Sequence, residues 1–281
     1  MLNIKVKLYS IIFLFVLFFF RAQTVLLPHD SKLKIDSFVI ERYGKAQYNV
    51  IYEVEFTPNT ANLRKKNNVS LLLQSNGKIS KFFDPNTLKR DSLLQDYQKK
   101  DNVGSDELNQ LLKIKVKSDR IILKDFTKNL IVVENKYRKR YQYDELLPTL
   151  VWKIEKETKL ILEQQCQKAT TYFRGRLYTA WFAQNITLND GPDLFHGLPG
   201  LILEISDSQE HFHFKAIAIV KNENEINMLN YKNKIKLSRE KFRILQKNYF
   251  DNPGFDMGTA FNPDGTQIKI PSIPYNPLEL E

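Results

Sequence analysis

Apolar and polar residues alternate with period two along most of the chain, the pattern of strands with one buried and one wet face. From Ala46 to Phe56, the even positions are Ala46, Tyr48, Val50, Tyr52, Val54 and Phe56, and the odd ones include Gln47, Asn49, Glu53 and Glu55. The same reading predicts a shorter strand over Lys34–Ile40. It predicts a hairpin of Ser70–Gln74 and Lys78–Phe83 around Asn76-Gly77, a dipeptide suited to a tight turn. Further strands are expected over Lys113–Val116, Arg120–Leu123, Asn129–Asn135 and Lys136–Tyr143. Two long strands, Thr158–Tyr172 and Arg176–Ala183, meet at Arg174-Gly175. Leu201–Ile205 and Phe212–Val220 form another pair, joined by Ser206–Glu210. Helical spacing is confined to Asn86–Tyr97, with Asn86 or Asp84 near its start, and Ser238–Tyr249, where Ser238 can cap the first turn.

About ten strands and two helices predict an α+β, β-dominated fold. Its expected form is one large curved antiparallel sheet, a half-barrel or open barrel, with the helices on one side. No linker divides residues 23–250, which read as a single domain. Proline, asparagine and glycine dominate the following segment, so 251–281 is expected to be a loosely ordered tail.

The N-terminus changes the picture from fold to address. Lys5 and Lys7 precede an unbroken apolar run, Ile11–Phe20. A membrane-spanning helix needs about 20 apolar residues, so residues 1–22 read as a secretory signal with cleavage after Ala22. Lys5, Lys7 and Arg21 carry three of the ten net positive charges, which leaves +7 on the mature chain. Basic clusters such as Arg138–Arg140 are interleaved with polar and acidic residues and read as solvated faces. No nucleic-acid partner is expected for an exported chain, whereas peripheral contact with an anionic membrane is compatible with the charge. A single cysteine excludes an intramolecular disulfide and any multi-cysteine metal site.

The most distinctive stretch contains Gly191-Pro192 and His196-Gly197-Leu198-Pro199-Gly200-Leu201-Ile202-Leu203. Pro199-Gly200 suits a type II turn that aims the chain into a strand. The spacing is not that of a phosphate loop, and an apolar strand follows it rather than a helix. Together with Cys166-Gln167-Lys168-Ala169, Phe173-Arg174-Gly175-Arg176, Ala180-Trp181-Phe182, Trp152 and Glu157-Thr158-Lys159, these residues resemble the GLPGLI family of exported Bacteroidetes proteins. The resemblance spans about 152–220. It departs at Glu163 and Gln164, where the family tends to have glycine and an aromatic residue. It implies export to the envelope and supplies no catalytic residues or cofactor.

Candidate chemistry is sparse. His211 and His213, two apart on an expected strand, could share a metal with His196; otherwise they belong to a wet face. Cys166 could be a nucleophile assisted by Lys168, or a small buried hydrophobe. Arg174 and Arg176 could bind an anion, or pair with strand carboxylates such as Glu155, Glu157 or Glu204. Abundant aromatics, Trp181 among them, fit a sheet buried on both faces. If the sheet curls, its inner face could line an apolar cavity. Three readings follow: a non-enzymatic envelope module acting on a protein partner or apolar ligand, a lipid or lipoprotein carrier, and a metal- or thiol-dependent hydrolase.

Overall fold

The period-two pattern folds into an open, strongly curled sheet in the computed structural model, which describes residues 35–100, 102–221, 223–254, 266 and 270–281. The expected signal segment lies outside the described residues. The strands are β1 (Phe38–Lys45), β2 (Tyr48–Phe56), β3 (Asn67–Ser75), β4 (Ile79–Phe83), β5 (Ile121–Asp125), β6 (Leu130–Lys136) and β7 (Arg140–Leu146). They continue as β8 (Lys153–Ile161), β9 (Gln164–Phe173), β10 (Arg176–Ala183), β11 (Leu201–Asp207), β12 (Phe212–Lys221), β13 (Glu225–Tyr231) and β14 (Ile235–Lys236). The helices are α1 (Asn86–Tyr97), α2 (Ser105–Lys113) and α3 (Arg239–Asp251).

Twelve strands form one sheet in the order β14-β7-β6-β5-β4-β3-β2-β12-β11-β10-β9-β8. Every neighbouring pair is antiparallel except β14 with β7. The two edges do not meet, so the sheet is a half-barrel. The inner face carries Val50, Tyr52, Leu73, Phe82, Ile122 and Val133, all in one apolar core. That core is closed by Phe242 of α3 and by residues 186–198, which run inside the curl. The outer face carries Leu72, Phe83 and Ile121 beneath Met228. There an antiparallel ribbon of β1 and β13, with Leu94 of α1 packed on it, covers the sheet.

Local chemistry explains most boundaries. Asn76 Oδ1 accepts the N–H groups of Lys78 and Ile79 at 3.1 and 2.8 Å, which closes the β3–β4 hairpin. The Asp84 carboxylate accepts from the Asn86 N–H at 2.9 Å and the Lys117 N–H at 2.7 Å, so it starts α1 and ties the incoming chain to it. Ser238 Oγ accepts the Lys241 N–H at 3.3 Å and caps α3, as its sequence predicts.

Three expectations need correction. The strand expected over Thr158–Tyr172 is two strands, because Leu162 and Glu163 both take positive φ (49° and 61°) and reverse the chain. Lys113–Val116 is not a strand: residues 105–113 form a third helix with Asp106 and Glu107 in its first turn and Lys113 in its last, the charge order its dipole favours. In the strand expected over Phe212–Val220, Phe212, Phe214 and Ala216 point inward, but a bulge between Ala216 and Ala218 breaks the expected alternation, leaving Val220 47% exposed and Ile219 packed on the core. Within the segment expected to be a tail, Glu279 is buried and Leu278 packs against the core.

Candidate functional site

The loop between β10 and β11 is a plug inside the half-barrel, and a buried lysine fixes it. Lys124 lies in phase with Ile122 on the inner face of β5 and is fully buried. Its Nζ stands 2.6 Å from Asp190 Oδ1 and donates to the carbonyls of Gly191 and Phe195 at 2.7 and 3.3 Å. Phe195 then seats edge-on against Tyr178, with ring centroids 4.7 Å apart. Trp152 Nε1 donates to the His196 carbonyl at 2.8 Å and holds the far side of the loop beside Gly197. Leu198, Leu201 and Ile202 are buried.

The type II turn expected at Pro199-Gly200 is replaced by a tighter one. The Gly200 N–H donates to the Leu198 carbonyl at 2.8 Å, while the Leu201 N–H turns away to Ile186. Glycine is required at position 200 for space: a Cβ there would lie 2.3 Å from the Ala183 carbonyl oxygen. The Gly-Leu-Pro-Gly run thus lets a plug pass against the end of the strand it came from.

The three histidines do not converge. His211 precedes β12 and bends inward, its Nδ1 3.2 Å from an Arg176 nitrogen that donates to Asp207 at 2.8 Å. His213 faces the other way, 3.2 Å from Glu204, whose carboxylate also meets Lys159 Nζ at 2.9 Å. Burial alone would raise the Glu204 carboxyl, but His213 and Lys159 hold it down at about 2. His196 sits in the plug, where burial and then Lys124 push its imidazole down to about 4. Among the described residues no three His, Cys, Asp or Glu side chains are placed to hold a metal ion. The candidate metal set of His196, His211 and His213 is not brought together: the strand begins one residue too late for His211 and His213 to share a face.

Cys166 is fully buried, and burial pushes its thiol up to about 11. Lys168 pairs with Glu155 and Glu157 at 3.1 and 3.3 Å instead of activating the thiol. Trp181 is half-buried, with Lys159 Nζ 4.4 Å from its ring centroid.

Arg174 and Arg176, flanking Gly175 in a turn, do pair with carboxylates, but distant ones. Arg174 donates to Glu145 at 2.5 Å and also to Glu279. Glu279 further accepts from Arg239 at 2.8 Å and from Arg120 at 3.3 Å, while Arg120 grips Asp193 of the plug through two bonds of 3.0 and 3.1 Å. Burial would raise the Glu279 carboxyl, yet Arg120, Arg174 and Arg239 outweigh it and hold it below the ordinary range. Beside Glu279 opens a cleft of about 280 Å³, lined by Phe56, Phe212, Phe250, Tyr275 and the cations Lys117 and Arg243. It lies at the mouth of the half-barrel. Its deeper wall is the inner face of the sheet, through Val54, Val69, Leu71 and Phe214, together with Phe242 of α3; the plug occupies the neighbouring part of the curl. Sequence reasoning missed Lys124, Arg120 and Glu279. The one available signal was Lys124 itself, a lysine in phase with Ile122 on a buried strand.

Against known proteins, residues 174–204 match a family model described as a protein of unknown function (Porph_ging). That stretch is the Arg174-Gly175 turn, β10, the plug and the first residues of β11. No curated protein matches the chain in sequence. Among solved structures, the chain is similar to PNGF-II in a C2 crystal form, with TM-score 0.48 and 15% identity over 72% of this chain and 32% of that one. A P21 form of PNGF-II gives TM-score 0.46 and 13% identity over 72% and 33%. The chain spans about a third of the length of these solved structures.

Proposed function

We propose that this chain is an exported envelope protein of the GLPGLI family that acts by binding a protein partner rather than by catalysis. The observation that carries the reading is the fate of its reactive side chains. Cys166 is buried with a raised thiol, His213 is paired to Glu204, and His211, Arg174 and Arg176 are tied into internal charge networks. The cleft at the mouth is open, with aromatic walls and cations among its lining. The plug weighs against the lipid-carrier reading, because the cleft left against the inner face, about 280 Å³, falls below the roughly 300–1,000 Å³ of ligand pockets. The hydrolase reading lacks the convergence it requires. The apolar run at Ile11–Phe20 and the matched motifs support export and the family.

Native mass spectrometry of the protein purified gently from the envelope of its host tests this. The expected result is a chain beginning near Gln23, of bare protein mass, with a co-purifying protein. A bound lipid, a metal adduct, or a chain that keeps residues 1–22 in the cytosol overturns it.

A further inference from the structure

Residues 276–281 form neither strand nor helix, yet side chains from across the fold converge on them. Arg176 donates to Asn276 Oδ1 at 2.6 Å and to the Pro277 carbonyl at 2.8 Å. Asn276 Nδ2 donates to the Thr57 carbonyl at 2.8 Å. Tyr178 Oη donates to the Leu278 carbonyl at 3.0 Å, and Leu278 packs on the core. Arg120, Arg174 and Arg239 surround the Glu279 carboxylate, and Arg243 donates to the Glu279 carbonyl at 3.3 Å. Gly175 leaves room for Leu280, whose Cβ would lie 2.7 Å from any Cβ added there.

This is how a groove recognises an extended peptide: donors for its carbonyls, a seat for one apolar side chain and a charged fork for one carboxylate. Most of the contacts are made by side chains. Among the described residues, one main-chain to main-chain bond joins 276–281 to the rest, from the Leu280 N–H to the Arg174 carbonyl at 2.9 Å. Release of the segment would leave the strand order intact, and a replacement carrying the same carboxylate would restore the ion pairs. The aromatic cleft alongside offers space for residues flanking such a replacement.

We propose that the groove built by Arg120, Arg174, Arg176, Tyr178 and Arg239 is a binding site for an extended acidic peptide of a partner protein. The preferred chemistry is an apolar residue followed by a carboxylate, and residues 276–281 are its resident occupant. The inference rests on the binding role proposed above and names the partner's chemistry. A tethered occupant competes at an effective concentration of order millimolar, so the intact protein holds the site closed to weak ligands.

The test titrates the full chain into a fluorescent peptide with the sequence of Tyr275–Glu281. Leu278→Ala and Glu279→Gln each loosen the resident segment and are expected to bind the peptide at least ~10-fold more tightly than the unaltered chain. A peptide with glutamine at the position of Glu279 is expected to lose at least ~10-fold on every form. Hydrogen exchange gives a second readout: the amide of Leu280 is expected to exchange far faster than that of Leu73. The proposal is overturned if variants that keep cooperative melting gain no affinity, if both peptides bind alike, or if Leu280 exchanges only with global unfolding. Each of those results leaves the envelope purification, and so the broader binding role, standing.

Discussion

Two buried lysines sit on adjacent strands of one sheet, facing opposite ways, and their surroundings differ sharply. Lys124 on the inner face has a carboxylate at 2.6 Å and two carbonyls around its ammonium. Lys81 on the outer face has one carbonyl, that of Asn227 at 2.7 Å, and the ring of Phe83 at 4.0 Å. Asp91 and Glu134 act on it only from a distance, and burial raises both of their carboxyls. Arg90, Arg140 and Lys234 already serve those two acids. Burial accordingly pushes Lys81 down to about 8, with Asp91 and Glu134 only partly opposing it. The inner face, which carries the plug and the matched residues 174–204, meets its buried lysine with an opposite charge at hydrogen-bond distance; the outer face does not. A buried charge contributes structure where a partner meets it at hydrogen-bond distance and costs stability where none does.

The largest effect expected from this contrast is on the inner face. Lys124→Met leaves Asp190 buried without its cation and should cost about 3–5 kcal/mol, read by urea denaturation. A loss under about 1 kcal/mol would mean that the plug holds without its lysine, and the contrast would fail.

Lys81→Met should have the opposite sign, a gain of about 2 kcal/mol at pH 7. The unfolded chain keeps the Lys81 proton up to about pH 10.4, whereas the folded chain releases it near 8. The unfolded state therefore binds more protons across that window, and stability rises with pH there. The penalty below pH 8 is about 3 kcal/mol for such a shift. The advantage of Lys81→Met over the unaltered chain should thus shrink between pH 8 and pH 10, as melting curves at several pH values would record. A constant advantage would show that the charge on Lys81 is not its cause.

The smallest effect lies away from both lysines, at the β8–β9 turn. Glu163 holds φ at 61° without being glycine. Glu163→Gly relieves that strain and should stabilise by about 1 kcal/mol. A loss on thermal melting would show that the Glu163 side chain contributes more than its backbone costs.

Legibility in the sequence followed the range of the interaction. The turns at Asn76-Gly77 and Arg174-Gly175 announce themselves in two residues, and the Ser238 cap in four. The Leu162-Glu163 turn carries no glycine, so its reversal was hidden inside a run that reads as one strand. Helix α2 was missed although Leu108, Leu111 and Leu112 recur at helical spacing, because it is only nine residues long and runs directly into Ile114 and Val116, whose alternation imitates a strand. In the site, Arg174 and Arg176 were recognisable as arginines seeking carboxylates. Their partners were not, since Glu279 lies 105 residues from Arg174, and Asn276 meets Thr57 across 219.

By itself, then, the sequence determined a β-dominated chain of hairpins, the inner and outer faces of most strands, two of the three helices among the described residues, and a loop that needs glycine. Those properties come from period and from contacts a few residues long. The tertiary structure alone decided that the loop is a plug, that Lys124 holds it, that the histidines stay apart, and that residues 276–281 are seated in the groove the arginines build. The physical reason is that a buried charge is settled by whichever opposite charge folding brings within about 3 Å, and nothing local in the chain encodes that choice.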